Sequence, residues 1–169
     1  MKKVAVLLAS LLVAACASSH KTDVSQAVQP ETANKATASA AAAADAMELS
    51  KLNTEIQQMQ KQSDYFDYNK YVVKAEYRSV IQKEAEFIKA HKNDVVTLDG
   101  NADERGSEGY NMALGEHRAE AVAKSLEMQG VPASQIKLVS FGKDKPRLTC
   151  HAEKCWKENR RVDFSHNLG

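Results

Sequence analysis

Residues 94–118 read DVVTLDGNADERGSEGYNMALGEHR, and this stretch decides the fold class of the folded part of the chain. The apolar run at 95–98 predicts a buried strand. Apolar side chains then recur at helical spacing over residues 110–129, and Gly130 is a helix stop signal. The glycines of the polar loop between them are expected to let the backbone turn from strand to helix. The stretch therefore predicts a strand, a loop and a helix, and the loop is a candidate site.

Periodic patterns on both sides of this stretch complete the domain. Residues 65–66 are a short strand candidate, residues 136–141 predict a third strand, and Arg161–Ser165 alternates like a half-exposed fourth strand. A further helix is predicted from the apolar face made by Tyr77, Val80, Ile81, Phe87 and Ile88. Glu84 is the one polar intruder on that face. The order β-α-β-α-β-β predicts an α+β, two-layer domain with two helices packed on one face of a mixed four-stranded sheet.

The first fifteen residues have the pattern of a secretory signal peptide. Two lysines precede an apolar run at 4–15, which is too short to span a bilayer permanently. The run ends in LVAAC at 12–16, which resembles the lipobox of bacterial lipoproteins, where the cysteine becomes the acylated N-terminus. Acylation of Cys16, with chains such as palmitate, is therefore expected, and Ala17 in place of Asp resembles an outer-membrane destination. Ordinary cleavage that leaves a free cysteine is the alternative.

Composition separates a tether from a folded domain. The chain has 169 residues and a formal net charge of +1, which gives no reason to expect nucleic acid as a partner. Residues 17 to about 39 lack aromatic side chains and are expected to form a flexible tether. Residues 40–62 predict a helical stalk with an apolar stripe made by Leu49, Leu52, Ile56 and Met59. The expected organisation is a signal peptide at 1–15, acylated Cys16 with tether and stalk at 16–62, and a folded domain at 63–169.

The polar loop raises several chemical possibilities. Its glycines match neither G-x-G-x-x-G nor the P-loop, which argues against a nucleotide site. Asp99, Asp103 and Glu104 could divide general acid and base roles in a hydrolase. Arg105 lies among them, however, and no Ser-His or Cys-His nucleophile pattern accompanies them. Solvated loop carboxylates are the commoner case, so no residue is assigned as catalytic.

Cys150 and Cys155 form a second candidate feature. With His151 they offer C-H-x-x-x-C, which lacks a second pair of ligands, so neither a metal nor another cofactor is expected. In an exported protein the two cysteines are better explained as a local disulfide. Its expected role is to stiffen a small loop rather than to react.

Asp103 and Arg118 are the remaining pair of charged candidates. Arg118 lies within the predicted second helix, and Asp103 precedes that helix. Sequence spacing cannot show that they meet, and a helical arginine is normally part of a solvated face. If they do meet, a carboxylate and a guanidinium side by side make a receptor for a zwitterion.

At this point the motifs resemble a known family. NADERG at 101–106, with YN, LGE and RA following within the helix, looks like the signature of the OmpA-like peptidoglycan-binding domain. FGK at 141–143, KP at 145–146 and NRRV at 159–162 match later motifs and are closest to the lipid-anchored members. The resemblance runs from residue 66 to 162 and so covers the folded domain. Asn101 departs from the His that is often found there, and the loop with two cysteines is a second departure.

The resemblance implies an OmpA-like fold and a non-enzymatic binder of the diaminopimelate-containing stem peptide of peptidoglycan. It implies that Asp103 accepts the ligand's ammonium and that Arg118 binds a carboxylate. The other binding positions that it implies are Asp67, Asn69, Asn111, Leu114 and Arg160. For the whole protein it implies anchoring of the outer membrane to the cell wall within the Tol-Pal system, support of constriction at cell division, and a TolB-like periplasmic protein as partner. A peptidoglycan hydrolase and a purely structural interaction module remain as alternatives.

Overall fold

The computed structural model describes residues 33–168, with side chains from residue 43 onward. The expected signal peptide, Cys16 and most of the expected tether lie outside the described residues. The chain divides into two units, Met1–Ala40 and Ala41–Gly169, and the second unit contains the sheet and the candidate site. Among the described residues, no helix is both long and apolar enough to cross a membrane.

The first helix, α1, spans Ala33–Met59 and so begins earlier than the predicted stalk. Its apolar stripe is covered only toward the C-terminal end. Leu49 is 57% exposed, Leu52 and Ile56 are half-buried, and Met59 is buried. Met59 lines a small pocket together with Phe87 of the folded domain. The stripe therefore contacts the domain at its end, while Leu49 faces solvent.

Four strands form one mixed sheet: β1 (Ser63–Tyr65), β2 (Val96–Asn101), β3 (Ile136–Gly142) and β4 (Arg161–Ser165). Their spatial order is β1-β4-β2-β3. β2 and β3 run parallel, whereas β4 is antiparallel to both β1 and β2. The predicted mixed four-stranded sheet is confirmed.

Two long helices pack on this sheet. α2 (Arg78–Ala90) follows a short 3-10 turn at Ala75–Tyr77, and α3 (Glu108–Met128) begins after Ser107, whose hydroxyl accepts a hydrogen bond from the Tyr110 backbone N–H at 3.3 Å. Both helices contribute to one core with the sheet. Its largest apolar members are Phe66, Ile81, Ile88, Leu98, Leu126 and Phe164. The α+β, two-layer architecture expected from the sequence is confirmed.

A further helix, α4 (Glu153–Asn159), was not expected. The expected disulfide between Cys150 and Cys155 is present, and Cys155 lies in the first turn of this helix. The segment is therefore a tight turn that leads into a short helix, rather than a plain loop. Its seven residues carry no apolar period, so no sequence pattern predicted the helix.

The glycines of the opening stretch have different roles. Gly106 has a φ of 106° and makes the turn that was expected. Gly100 instead lies inside β2, where an added Cβ would be 2.0 Å from the carbonyl oxygen of Gly115 in α3. Gly109 belongs to α3 and has open space around it. Gly100 and Gly115 thus allow a close approach of strand and helix, and the expectation of a turning role was wrong for Gly100 and Gly109.

Glu84, the polar residue on the apolar face of α2, has a buried partner. His166 lies between two carboxylates, with Nε2 2.9 Å from Glu84 and Nδ1 2.7 Å from Asp94. Burial alone would lower the pKa of His166, but these two hydrogen bonds outweigh it and raise the pKa to about 9. The side chain is therefore a buried cation at neutral pH, which explains why Glu84 is tolerated inside the core.

Asp64 is another buried carboxyl group, with a different environment. Neither of its side-chain oxygens finds a hydrogen-bond partner within the described part of the chain. Burial, and next the charge of Glu84, raise the pKa of Asp64 to about 7. Ionisation of this group is therefore costly in the folded state.

Candidate ligand-binding site

The predicted site residues come from three segments that meet at one edge of the domain. These are the loop after β1, the loop and helix start after β2, and the junction between α4 and β4. β4 lies antiparallel between β1 and β2, so the C-terminal ends of β1 and β2 lie next to the first residues of β4. The topology thus brings together residues that are nearly a hundred positions apart in sequence.

Arg118 is fully buried in α3, and each of its three side-chain nitrogens donates to a backbone carbonyl. Nη1 reaches Asn101 at 2.7 Å, Nε reaches Lys70 at 2.9 Å and Nη2 reaches Asp67 at 3.3 Å. Burial, and next the charge of Arg160, lower its pKa to about 10, which leaves it charged at neutral pH. Arg118 therefore joins the loop after β1 to the end of β2, rather than lying on a solvated helix face.

Asp103 is buried between two arginines. Its carboxylate accepts from the backbone N–H of Arg105 at 3.1 Å, from Arg105 Nε at 3.1 Å and Nη2 at 2.6 Å, and from Arg160 Nη1 at 3.3 Å. Burial alone would raise the pKa of Asp103, but the hydrogen bonds from the two arginines outweigh it and lower the pKa. Asp103 is thus an ionised acceptor, and its hydrogen-bond partners are Arg105 and Arg160 rather than Arg118.

Arg160 links the three segments. Its Nε donates to the carbonyl of Phe66 at 2.9 Å, its Nη1 lies on Asp103, and its Nη2 donates to Glu153 of α4. The side chain is buried, so these charge-assisted bonds act in a partly dehydrated environment. Arg160 holds both the carboxylate and the loop after β1 in position.

The remaining predicted residues lie around this centre. Asp67 is exposed and forms an ion pair with Lys74 at 2.8 Å, which lowers its pKa. Asn69 adopts a left-handed conformation with φ of 55° and accepts a hydrogen bond from the hydroxyl of Tyr110. Asn111 and Leu114 are buried on the first turns of α3, and the Asn111 amide donates to the carbonyl of Arg105 at 3.2 Å.

A cleft of about 500 Å³ opens beside these residues. Its lining includes Phe66, Asp67, Lys74, Glu153 and Arg160, whereas Asp103 and Arg118 are not lining residues. The cleft is therefore lined by both cationic and anionic groups, which suits a ligand that carries both charges.

The geometry does not favour acid–base chemistry. Asp103 has a lowered pKa and two arginine partners, and the pKa of the exposed Glu104 is lowered by hydrogen bonds, first from His151 and then from Trp156. Both are therefore poor proton donors near neutral pH. Asp99 lies in β2 opposite Asp163 and so does not join them. Among the described residues, no group of three or more His, Cys, Asp or Glu side chains is placed to hold a metal ion.

Sequence reasoning missed four residues that contribute to the candidate site, namely Tyr68, Arg105, Glu153 and Trp156. Arg105 lies over the rings of Tyr68 and Trp156, at 4.0 and 4.1 Å from their centroids. Trp156 Nε1 also donates to Glu104 at 2.7 Å, and Glu153 reaches Arg160. The only hints in the sequence were that Trp156 is the single tryptophan of the chain and that it follows a cysteine.

Comparisons with known proteins identify the family. The OmpA family model matches residues 65–160. The peptidoglycan-associated lipoprotein of Pseudomonas putida is 46% identical over 100 residues, which are 59% of this chain and 60% of the relative. That of Agrobacterium fabrum is 41% identical over 98 residues, 58% of this chain and 55% of the relative. The chain thus matches between half and two thirds of the length of these relatives.

Solved structures agree with this assignment. The crystal structure of the peptidoglycan-associated lipoprotein from Burkholderia pseudomallei has a TM-score of 0.62 and 42% sequence identity, and the match covers 63% of this chain and 90% of that one. The C-terminal domain of Helicobacter pylori MotB has a TM-score of 0.59 at 20% identity, over 63% of this chain and 84% of that one, which shows a shared fold alone. The family is non-enzymatic, which confirms the expectation that the domain is not an enzyme. This chain belongs to the OmpA family.

Proposed function

We propose that this chain is an outer-membrane lipoprotein whose OmpA-family domain binds peptidoglycan without covalent attachment. Its ligand is the diaminopimelate-containing stem peptide, which carries carboxylates and a free ammonium. Acylation at Cys16 anchors the protein, and the domain holds the outer membrane to the wall. The names of the relatives, which associate them with peptidoglycan and call them lipoproteins, support this proposal.

One observation carries the proposal: an ionised carboxylate and two buried guanidinium groups lie at one edge of the domain. Asp103 is held ionised, Arg160 is bonded to it, and the charge of Asp103 favours the charged form of Arg118. Asp103 would receive the ligand's ammonium, and the arginines would receive its carboxylates through planar, multi-donor contacts. A zwitterion fits this charge pattern better than a simple cation or anion does.

The remaining residues would position the stem peptide. Asp67 lines the cleft and Asn69 follows it in the loop after β1, whereas Asn111 and Leu114 lie behind the cleft lining on the first turns of α3. Arg118 would act in two ways, because its bonds to the carbonyls of Lys70 and Asp67 also hold the loop after β1 in place.

Weak single-site binding is sufficient for this role. A few charge-assisted hydrogen bonds contribute about 1.5–3 kcal/mol each, and part of that offsets desolvation and ordering of the ligand. Many lipid-anchored copies that face one polymer would raise the total strength through avidity. We place the protein in the Tol-Pal system, with a TolB-like periplasmic protein as partner and a role at cell division.

Co-sedimentation with purified sacculi tests the binding function. The protein, purified in detergent, should pellet with diaminopimelate-containing sacculi and should release no soluble fragments. Asp103→Asn keeps the size of the side chain but removes the charge, and it should lose retention. Asp144→Asn, on an exposed turn after β3, is the matched control and should keep it. Fragment release would support a hydrolase, and no pelleting of the wild type would leave a structural interaction module.

The lipid anchor has its own test. Cells that express the wild type should incorporate labelled palmitate into the protein, and a Cys16→Ser variant should not. Label that persists in the Cys16→Ser variant would contradict the assignment of the anchor.

A further inference from the structure

Arg105 binds Asp103 in the way that a cationic ligand would. Two of its side-chain nitrogens face the two carboxylate oxygens, with Nε 3.1 Å from Oδ1 and Nη2 2.6 Å from Oδ2. A two-point contact between a guanidinium and a carboxylate is a strong, charge-assisted arrangement. The position that the proposed function gives to the ligand's ammonium is therefore filled by a side chain of the protein.

Two aromatic rings complete the surroundings of this cation. The guanidinium carbon of Arg105 is 4.0 Å from the centroid of Tyr68 and 4.1 Å from that of Trp156. A cation against aromatic faces is attracted by their electron density, and a cation enclosed by rings beside a carboxylate is a common way to bind ammonium ligands. The two rings and Asp103 therefore form a cation site whose occupant is Arg105.

The site is held together without help from the Arg105 side chain. The backbone N–H of Arg105 and Nη1 of Arg160 both remain on Asp103 if that side chain leaves. Trp156 is fixed by its hydrogen bond to Glu104 and by its place in α4, next to the disulfide-bonded Cys155. The carboxylate and the indole ring would thus keep their positions around an empty site.

The occupant can be reached and can leave. The Arg105 side chain is 30% exposed, and Tyr68 is 57% exposed on the loop after β1. Glu153 lies 3.8 Å from Arg105 Nη2, so a displaced guanidinium has a second carboxylate close by. Replacement of Arg105 by a ligand therefore leaves its guanidinium neither buried nor without a carboxylate nearby.

We propose that Tyr68, Asp103 and Trp156 form a cation site that Arg105 occupies from within the chain, and that the ammonium of the peptidoglycan ligand binds by replacing Arg105. The second half rests on the proposed function. Arg105 is then a specificity-determining residue, because a ligand must compete with a tethered guanidinium. Only a ligand that also engages the arginines through its carboxylates overcomes this competition.

The first arm of the test uses the single tryptophan and a small cation. Methylguanidinium chloride is titrated into the purified protein while Trp156 emission is recorded. The Arg105→Ala variant should show a saturable change in the millimolar range, and the wild type, whose site is filled, should show a response at least tenfold weaker. Arg105→Gln serves as a second vacated variant if Arg105→Ala folds poorly, and circular dichroism checks the fold of each.

Two further variants separate binding from non-specific quenching. Arg105→Lys keeps a tethered cation and should behave like the wild type. Arg105→Ala combined with Asp103→Asn removes the carboxylate and should lose the response. An absent response in both vacated variants, or an equal response in the wild type, would overturn the self-occupied site.

The second arm asks whether the wall ligand uses the same position. Arg105→Ala should bind diaminopimelate-containing sacculi at least threefold more tightly than the wild type, because the internal competitor is gone. Weaker binding would show that Arg105 itself contacts the ligand and would overturn the exchange. If the wild type and all variants fail to pellet with sacculi, the proposed function and the exchange both fail, while the methylguanidinium titration still decides the cation site.

Discussion

Replacement of Gly115 by alanine tests the close approach of α3 to β2, which holds the candidate site in place. A Cβ at residue 115 would lie 2.4 Å from Ser140 Oγ and 2.8 Å from the carbonyl oxygen of Gly100, whereas ordinary contacts begin at 3.4 Å. The hydroxyl of Ser140 can rotate, but the carbonyl of Gly100 belongs to the sheet. The helix must therefore move outward by about 0.6 Å, and overpacking of this kind costs about 1–3 kcal/mol.

A second glycine of the same helix provides the control. Alanine improves helix propensity by up to ~1 kcal/mol at either position, because glycine loses more backbone entropy on folding. At Gly109 nothing lies within 4 Å of the added Cβ, so Gly109→Ala should be neutral or stabilising. At Gly115 the clash should exceed the gain, with a net loss of about 1–2 kcal/mol and a fall in Tm of roughly 5–15 °C.

Thermal unfolding followed by circular dichroism measures both variants. Sacculus retention should fall for Gly115→Ala as well, because Arg118 follows one turn later and its Nη1 lies 2.7 Å from the carbonyl of Asn101. A Gly115→Ala protein that melts at or above the wild-type Tm would refute the close approach. Equal melting temperatures for Gly115→Ala and Gly109→Ala would also refute the close approach.

The other predictions concern buried charges and are measured by urea unfolding. Asp64→Asn should leave the free energy of unfolding unchanged near pH 4 and raise it by up to about 4 kcal/mol at pH 8. The reason is that the pKa of Asp64 is raised to about 7 in the folded state. The protonated form therefore stabilises the wild type at low pH, and this contribution is lost as the pH rises through that value. His166→Gln should flatten the fall in stability between about pH 6.5 and 9, because the raised pKa of His166, about 9, gives stability that is complete below 6.5 and lost above 9. Arg118→Met should lower stability by about 2–4 kcal/mol, because it leaves the three backbone carbonyls that Arg118 binds without that donor.

Controls for these variants come from exposed positions. Asp144→Asn, at an exposed position, should change stability by no more than about 0.5 kcal/mol. An Asp64→Asn variant with the same pH profile as the wild type would contradict the buried, unpartnered carboxyl group. A fully stable Arg118→Met protein would contradict a structural role for the three carbonyl contacts of Arg118.

Local sequence patterns predicted most of the helices and strands, because each of these elements packs a periodic apolar face against one common core. β4 was predicted at Arg161–Ser165, where it is found, and the start and end of α3 were each predicted within two residues. α4 was missed because a seven-residue helix with a single buried apolar side chain, Cys155, has no period to read. Tertiary contacts of Trp156 and the disulfide stabilise it instead.

Sequence patterns predicted the candidate site residues, but they could not predict the tertiary contacts that these residues make. Arg118 is buried because its carbonyl acceptors at Lys70 and Asp67 come from a loop 48 and 51 residues away. Glu84 looked like a defect in an apolar face, and its partner His166 is 82 residues away. The contact of Arg105 with two rings likewise depends on strand order, which no local pattern encodes.

The central claim is that the site recognises a zwitterion, and a matched pair of ligands tests it most directly. Two soluble muropeptides are compared that differ only at the third stem residue, which is diaminopimelate in one and lysine in the other. Lysine keeps the ammonium for Asp103 but lacks the carboxylate for the arginines. Isothermal titration should give an affinity at least tenfold lower for the lysine peptide, since a lost charge-assisted contact costs about 1.5–3 kcal/mol. Equal affinities for the two peptides would contradict the account.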